Sequence, residues 1–561
     1  MLIKFFKFIL IFLFFHSPLY SKSKTFNDFN SHHLSNYFSG IVAYNNNDNF
    51  KALNFFRSSK FLIKEHNFYL KNYIYSLILE GKVQEATREI KKNTTKDNSI
   101  FFEAHLILTL DSLKKENYKE SKEHLRKTNL FVDNDRISSI IVETLEEYLY
   151  IFEEKKVPNT KKDFGNFSFI NEIFQRCYLN DKKTDNYFES LINNDDNTDY
   201  SRYLFFYINY LIENNRYTEA KALTDNLNYL NSTLIISQAK LWIESQNIKE
   251  FGKIFSCKNP KDLIGELFFL IANIYSSQNN YKQSNFYLNI SYDLNPKFLF
   301  NLSLLADNYY LNQDYSKTLE TLNFFNKKDI FYYWFKLKKK AQVISKQQNG
   351  KASLNFIISK FKAIKDPPIK LVFDVANLYK KEKEYKQAIE YYNQVMLKID
   401  IASPFYSEIL YRRGGSYERM GDYKNSDKDL LKSLEINPDD AYILNYLAYS
   451  WLERNYKIDT ALKMLERAYE FKSNDPYIID SIGWAYYLIK DYLKAEKFLK
   501  RAVELMPEDP IVNDHYGDIL WKLDRKIQAR YFWKSVLYLE ETEEKMKKII
   551  EDKLTNGLEN T

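Results

Sequence analysis

Residues able to do chemistry are sparse and poorly placed in this chain. Seven histidines are scattered along 561 residues, and none forms a His-Glu-x-x-His pair that would bind zinc beside a general base. His32 and His33 are adjacent, which on a helix turns their rings about 100° apart and away from a common ion. Cys177 and Cys257 lack Cys-x-x-Cys spacing. Gly414-Gly415 is not followed by the Lys and Ser/Thr of a phosphate loop, and no Gly-x-Ser-x-Gly elbow occurs. The expectation is a non-enzyme with no catalytic or metal-binding residues, no cofactor and no small-molecule substrate.

What the chain does hold is aromatic and polar side chains at helical spacing. Tyr477, Asp480, Trp484 and Tyr487 recur every three or four residues and so share one helix face. Tyr442, Asn445, Tyr446 and Tyr449 form a similar stripe before them, and Asp514, His515, Asp518 and Trp521 another after them. Rings supply contact area and carboxamides and carboxylates satisfy a ligand's backbone, so such stripes suit an extended peptide.

The elements that must position these stripes repeat. In Asp480–Pro507, the residues Gly483, Tyr486, Ala495, Leu499, Ala502 and Pro507 fall at offsets 0, 3, 12, 16, 19 and 24. A shift of 34 gives Gly517, Leu520, Ala529, Trp533 and Val536. Backwards, Ala448, Gly414, Ala376, Ala306 and Ala272 open comparable units. Each unit reads as two antiparallel helices. Small side chains let the backbones cross closely, the aromatic or Leu fills the space beside the crossing, and Pro stops the second helix. One hairpin cannot bury its apolar stripe, so units must stack.

These residues resemble the tetratricopeptide repeat family, most clearly from about Gly265 to Glu540, with a second block at Gly40, Ala52, Phe56, Ala86 and Ile90. The stretches Asp480–Trp484 and Asn513–Asp518, with Trp521 and Trp533, look like the C-terminal repeats of exported proteobacterial members. The resemblance implies an all-α solenoid, a right-handed superhelix of hairpins whose concave groove is lined by the stripes above and grips a protein or peptide partner. Tight curvature would instead bury several of those rings against neighbouring repeats; the stripes alone are compatible with either use. The carboxylate clamp of some members is not expected, because its slots hold Phe373, Asn377, Arg412, Tyr442 and Tyr446 and only Asn377 and Arg412 match.

Composition agrees with helices. Only 12 glycines and 11 prolines occur, too few for the turns of a large β-sandwich. The net charge of +7 comes from 81 basic and 74 acidic residues that interleave, so no basic stripe invites nucleic acid. At the amino terminus two lysines precede the apolar run Phe8–Phe15, then His16-Ser17-Pro18 and the small residues Ser21 and Ser23. This reads as a secretory signal peptide over 1–21, hence export to the periplasm or envelope; an uncleaved anchor is the alternative, giving a membrane-anchored assembly component whose only membrane contact is the leader. Cys177 and Cys257 lie in different helical segments, so helix packing rather than a disulfide is expected to carry stability. The expected organisation is TPR-like repeats over 33–130, an irregular helical segment over 131–200, weak repeats over 201–264, the main array over 265–541 and a frayed, charged tail over 542–561. The polar runs at Val157–Thr160 and Asn193–Asn197 read as loops.

Overall fold

The computed structural model describes residues 31–558, apart from 65–67, 94–100, 133–135, 159–161, 194–199, 226–229, 231, 402 and 541. The expected leader at 1–21 and most of the two expected loops lie outside the described residues. Every regular element among the described residues is helical, and successive helices pair as antiparallel hairpins. The architecture is an all-α solenoid.

A recurrent turn builds the hairpins. The first helix ends in a residue with positive φ, and the next residue caps the second helix through its side chain. Asn279 (φ 60) precedes Asn280, which accepts from Gln283 N; Gln313 (φ 62) precedes Asp314, which accepts from Lys317 N; Lys490 (φ 66) precedes Asp491, which accepts from Lys494 N. The return turns use another signature. Asp475 and Asp509 each accept two backbone N–H bonds, and Pro476 and Pro510 follow at the first helical position. The small slots work as the sequence requires. A Cβ on Gly483 would stand 2.7 Å from Leu499 Cγ, and one on Gly517 would enter the Trp533 indole. Where the small residue is Ser, its hydroxyl bonds across the crossing: Ser291 to Gly265 O at 2.6 Å, Ser433 to Ser407 O at 2.7 Å.

The chain divides into two compact units, one of residues 31–227 with 233–336, the other of 337–558 with 228–232. The division falls inside the stretch 265–541 expected to be one array, and the first unit shows why. Helix Pro260–Ser277 is buried on every side through Leu263, Ile264, Leu267, Phe268, Phe269, Leu270 and Ile271. A helix apolar all round cannot leave one face on an open groove. The N-terminal hairpins therefore close back on this region. Tyr75 stacks on Phe286 at 4.6 Å, Gln84 donates to Asp293 at 2.8 Å, and Lys114 and Lys317 pair with Asp293 and Glu80 at 2.7 and 2.8 Å. Inside, the Arg202 guanidinium lies 3.5 Å over the Phe269 ring and bonds to Glu266 and Asn301. The segment 131–200 contributes helices Arg136–Glu154, Asn166–Leu179 and Thr184–Ile192.

Two expectations are corrected. Cys177 and Cys257 are joined in a disulfide with Cα atoms 5.7 Å apart, because helix Asn166–Leu179 packs beside the segment entering helix Pro260–Ser277. The tail is not frayed. Residues Glu544–Asn556 form a helix that buries Ile550 and Lys553, and Leu558 follows it into the core.

Candidate functional site

The three stripes lie in the second unit on helices Ala441–Glu453, Pro476–Leu488 and Pro510–Lys522, the first helices of successive hairpins. Much of their polar content is spent on bonds from one hairpin to the next. Tyr446 donates its hydroxyl to Glu418 at 3.1 Å and meets Tyr411 edge-on at 5.6 Å. His515 donates from Nδ1 to Asp480 at 2.9 Å. Its ring stacks on Trp484 at 4.1 Å, and Trp484 stacks in turn on Tyr487 at 4.6 Å. Lys553 of the terminal helix donates to Asp514 at 2.7 Å and to both oxygens of Asp518 at 2.8 and 2.9 Å, and Trp533 Nε1 adds a bond to Asp518 at 2.9 Å.

Asp480, His515 and Asp518 are buried, which corrects their expected place in an open groove: each has a partner in the adjoining helix, and desolvated charges persist only when paired. Asn445, Tyr446, Tyr449, Trp484, Tyr487, Asp514 and Trp521 are half-buried. Tyr442 and Tyr477 remain open, at 51% and 58% exposure, and Ile511 at the same slot of the next hairpin is 45% exposed. The structure thus separates the predicted face into a buried polar ladder and an open apolar row. Of the clamp-type residues, Asn377 accepts from Tyr392 at 2.7 Å and Arg412 pairs with Glu408 at 2.5 Å.

The ladder perturbs its titrating groups. Burial opposes a charge on His515, but Asp480, with Asp514 and Asp518 nearby, outweighs it and holds the imidazole above its ordinary value. Burial and the neighbouring Asp514 push Asp518 up to about 6, against the pull of Lys553 and His515. Burial lowers Lys380, facing Arg412 and Arg419, to about 8. Sequence reasoning missed Lys553 and Glu418. A signal for the first exists: Asp514 and Asp518 are like charges one turn apart, which repel unless a cation joins them.

The geometry defines a class, the helical-hairpin repeat protein. Three stretches of the second unit, residues 369–396, 407–440 and 478–509, match the tetratricopeptide repeat family. A tetratricopeptide repeat-containing protein of Pseudomonas aeruginosa is 32% identical over 89 residues, which are 16% of this chain and 15% of that protein. The chain therefore spans only a small part of the length of that relative. Among solved structures, MamA from Desulfovibrio magneticus is 21% identical, covering 31% of this chain and 97% of its own, with a TM-score of 0.27. A tetratricopeptide repeat protein from Parabacteroides merdae is 17% identical, covering 45% of this chain and 97% of its own, with a TM-score of 0.37.

Proposed function

We propose that this chain is a protein-interaction scaffold of the bacterial cell envelope and that its second unit holds a partner peptide or helix along the row Tyr442, Tyr477 and Ile511. One observation carries the reading: three large apolar side chains stay exposed at the same slot of three consecutive hairpins, while Asp480, His515 and Asp518 beside them are paired internally. Rings and branched aliphatics spaced by one repeat match anchors along an extended or helical ligand. Half-buried Trp484, Tyr487 and Trp521 border the row and can rim the contact.

The envelope assignment draws on two features. The leader-like sequence at 1–21 is one. The buried Cys177–Cys257 disulfide is the other, since such bonds persist in oxidising compartments. Among the described residues no helix is long and apolar enough to cross a membrane. A mature chain beginning near Lys22 or Lys24 would exclude the anchored alternative.

The test is the triple change Tyr442→Ala, Tyr477→Ala, Ile511→Ala. These side chains are exposed, so helicity and Tm should hold while capture of envelope partners is lost. Capture at the wild-type level by the folded triple variant would sink the proposal.

A further inference from the structure

The first unit contains an open cleft of about 900 Å³ where four turns meet: those at Asn46–Asp48, Leu79–Glu80, Asn279–Tyr281 and Asn312–Asp314. It exists because the N-terminal hairpins pack back onto helix Tyr281–Leu294, so no single repeat encodes it. Its volume lies within the range of small-ligand sites.

The lining is unusual for its carboxamides. Asn47, Asn279 and Gln313 have positive φ, which turn geometry explains. Asn46, Asn49, Asn285 and Asn312 also line the cleft, and none of them is needed for a positive φ. Asn49 is oriented without ambiguity, because its Nδ2 donates to Ser76 O at 3.1 Å and to Glu80 at 3.0 Å, both acceptors. Its Oδ1 is therefore the acceptor left over, buried and without a partner.

The lining holds four carboxylates, Asp48, Glu80, Asp314 and Glu320, and two lysines, Lys282 and Lys317, and each carboxylate is already engaged within the protein, Asp314 by capping Lys317 N. Lys317 lies between Glu80 at 2.8 Å and Glu320 at 3.1 Å, and Asp48 pairs with Lys51 at 2.7 Å. Lys282 donates to Tyr44 O at 2.6 Å. The carboxylates disfavour an anion, and their engagement within the protein weakens the attraction for a cation. Phe50, exposed at 57%, with Tyr281 and Tyr309 adds flat apolar surface beside groups that both donate and accept.

We infer that this cleft is a binding site for a neutral, hydroxyl-rich ligand, a glycan of a few sugar rings. Sugar hydroxyls match the exposed carboxamides of Asn46 and Asn312, which offer a donor and an acceptor side by side, and the apolar C–H faces of the rings match Phe50 and the tyrosines. A peptide strand needs a long track; four turns enclosing a compact cleft do not supply one. The site is independent of the face in the second unit.

The full chain, fluorescently labelled, is applied to an array of neutral glycans and to a peptide array, beside the variant Asn46→Ala, Asn312→Ala. Both side chains are exposed, so the variant should fold as judged by circular dichroism. Expected is binding of neutral oligosaccharides by the parent and at least about tenfold weaker binding by the variant, as two lost hydrogen bonds imply. Glycan binding equal in parent and variant overturns the inference, as does glycan signal no higher than background, or capture of peptides alone. The triple variant at Tyr442, Tyr477 and Ile511 should bind glycan normally, which separates this site from the proposed partner row.

Discussion

Lys553 stands toward Asp518 as His515 stands toward Asp480, a basic side chain of one helix set on a buried carboxylate two helices earlier, at 2.8 and 2.9 Å. The terminal helix thus continues the ladder by which each hairpin binds the next. Its contribution is testable: Lys553→Ala strands two carboxylates, Asp514 and Asp518, with Asp518 buried. A loss of about 3 kcal/mol is expected from breaking such a pair from one side, read from denaturant unfolding of the second unit. Adding Asp518→Asn should recover part of the loss; no recovery would show that packing by Ile550 and Leu558, rather than charge, holds the helix.

Two hairpins, Phe102–Asn129 in the first unit and Pro510–Val536 in the second, should answer pH in opposite directions. In the first, burial and then His124 and Lys127 depress His105 to about 4, and burial likewise lowers His124 despite Glu120 and Glu123. The unfolded chain then binds more protons between about pH 6.5 and 4, so stability present above 6.5 is lost as pH falls, by roughly 2–3 kcal/mol for His105. In the second, Asp518 and His515 are both raised. The folded state binds more protons there, so stability is fully present at low pH and is lost as pH rises through the folded values. Hydrogen exchange from pH 8 to 5, corrected for intrinsic rates, should show lower protection in Phe102–Asn129 and higher protection in Pro510–Val536. Protection moving the same way in both segments would contradict this.

Two glycines on the first helices of hairpins should respond differently to a methyl group. At Gly483 the new Cβ would meet Leu499 at 2.7 Å and its backbone N at 3.1 Å, and backbone cannot yield, so Gly483→Ala should cost about 1–3 kcal/mol. At Gly415 the neighbours are the ends of Lys380, at 3.1 Å, and Tyr446, at 3.2 Å. Both can shift, and Gly415→Ala should gain up to about 1 kcal/mol of helix propensity. Thermal unfolding of the two variants decides the matter.

The disulfide closes a separation of 80 residues. Cys177→Ser with Cys257→Ser should destabilise the first unit by about 2–4 kcal/mol and leave the second unchanged, as limited proteolysis under mild denaturant can show. A variant as resistant as the parent would mean that the surrounding aromatic core alone sets stability.

Residue order was enough to reveal the hairpin. Gly483 against Leu499, Gly517 against Trp533 and the Asp-Pro starts at 475 and 509 are local relationships within one repeat, and a period of 34 exposes them. The stripe containing Tyr442, Tyr477 and Trp521 was also legible, since helical spacing puts those residues on one face. Which members stay open was not legible, because that depends on curvature: the same slot pattern permits His515 to reach Asp480 or to face solvent. The closure of the first unit, the Cys177–Cys257 bond, the cleft at Asn49 and the seat of Lys553 all join residues far apart in sequence. Such pairings carry no period. They are decided only when apolar faces such as that of helix Pro260–Ser277 must find cover, and the chain has to fold back to supply it.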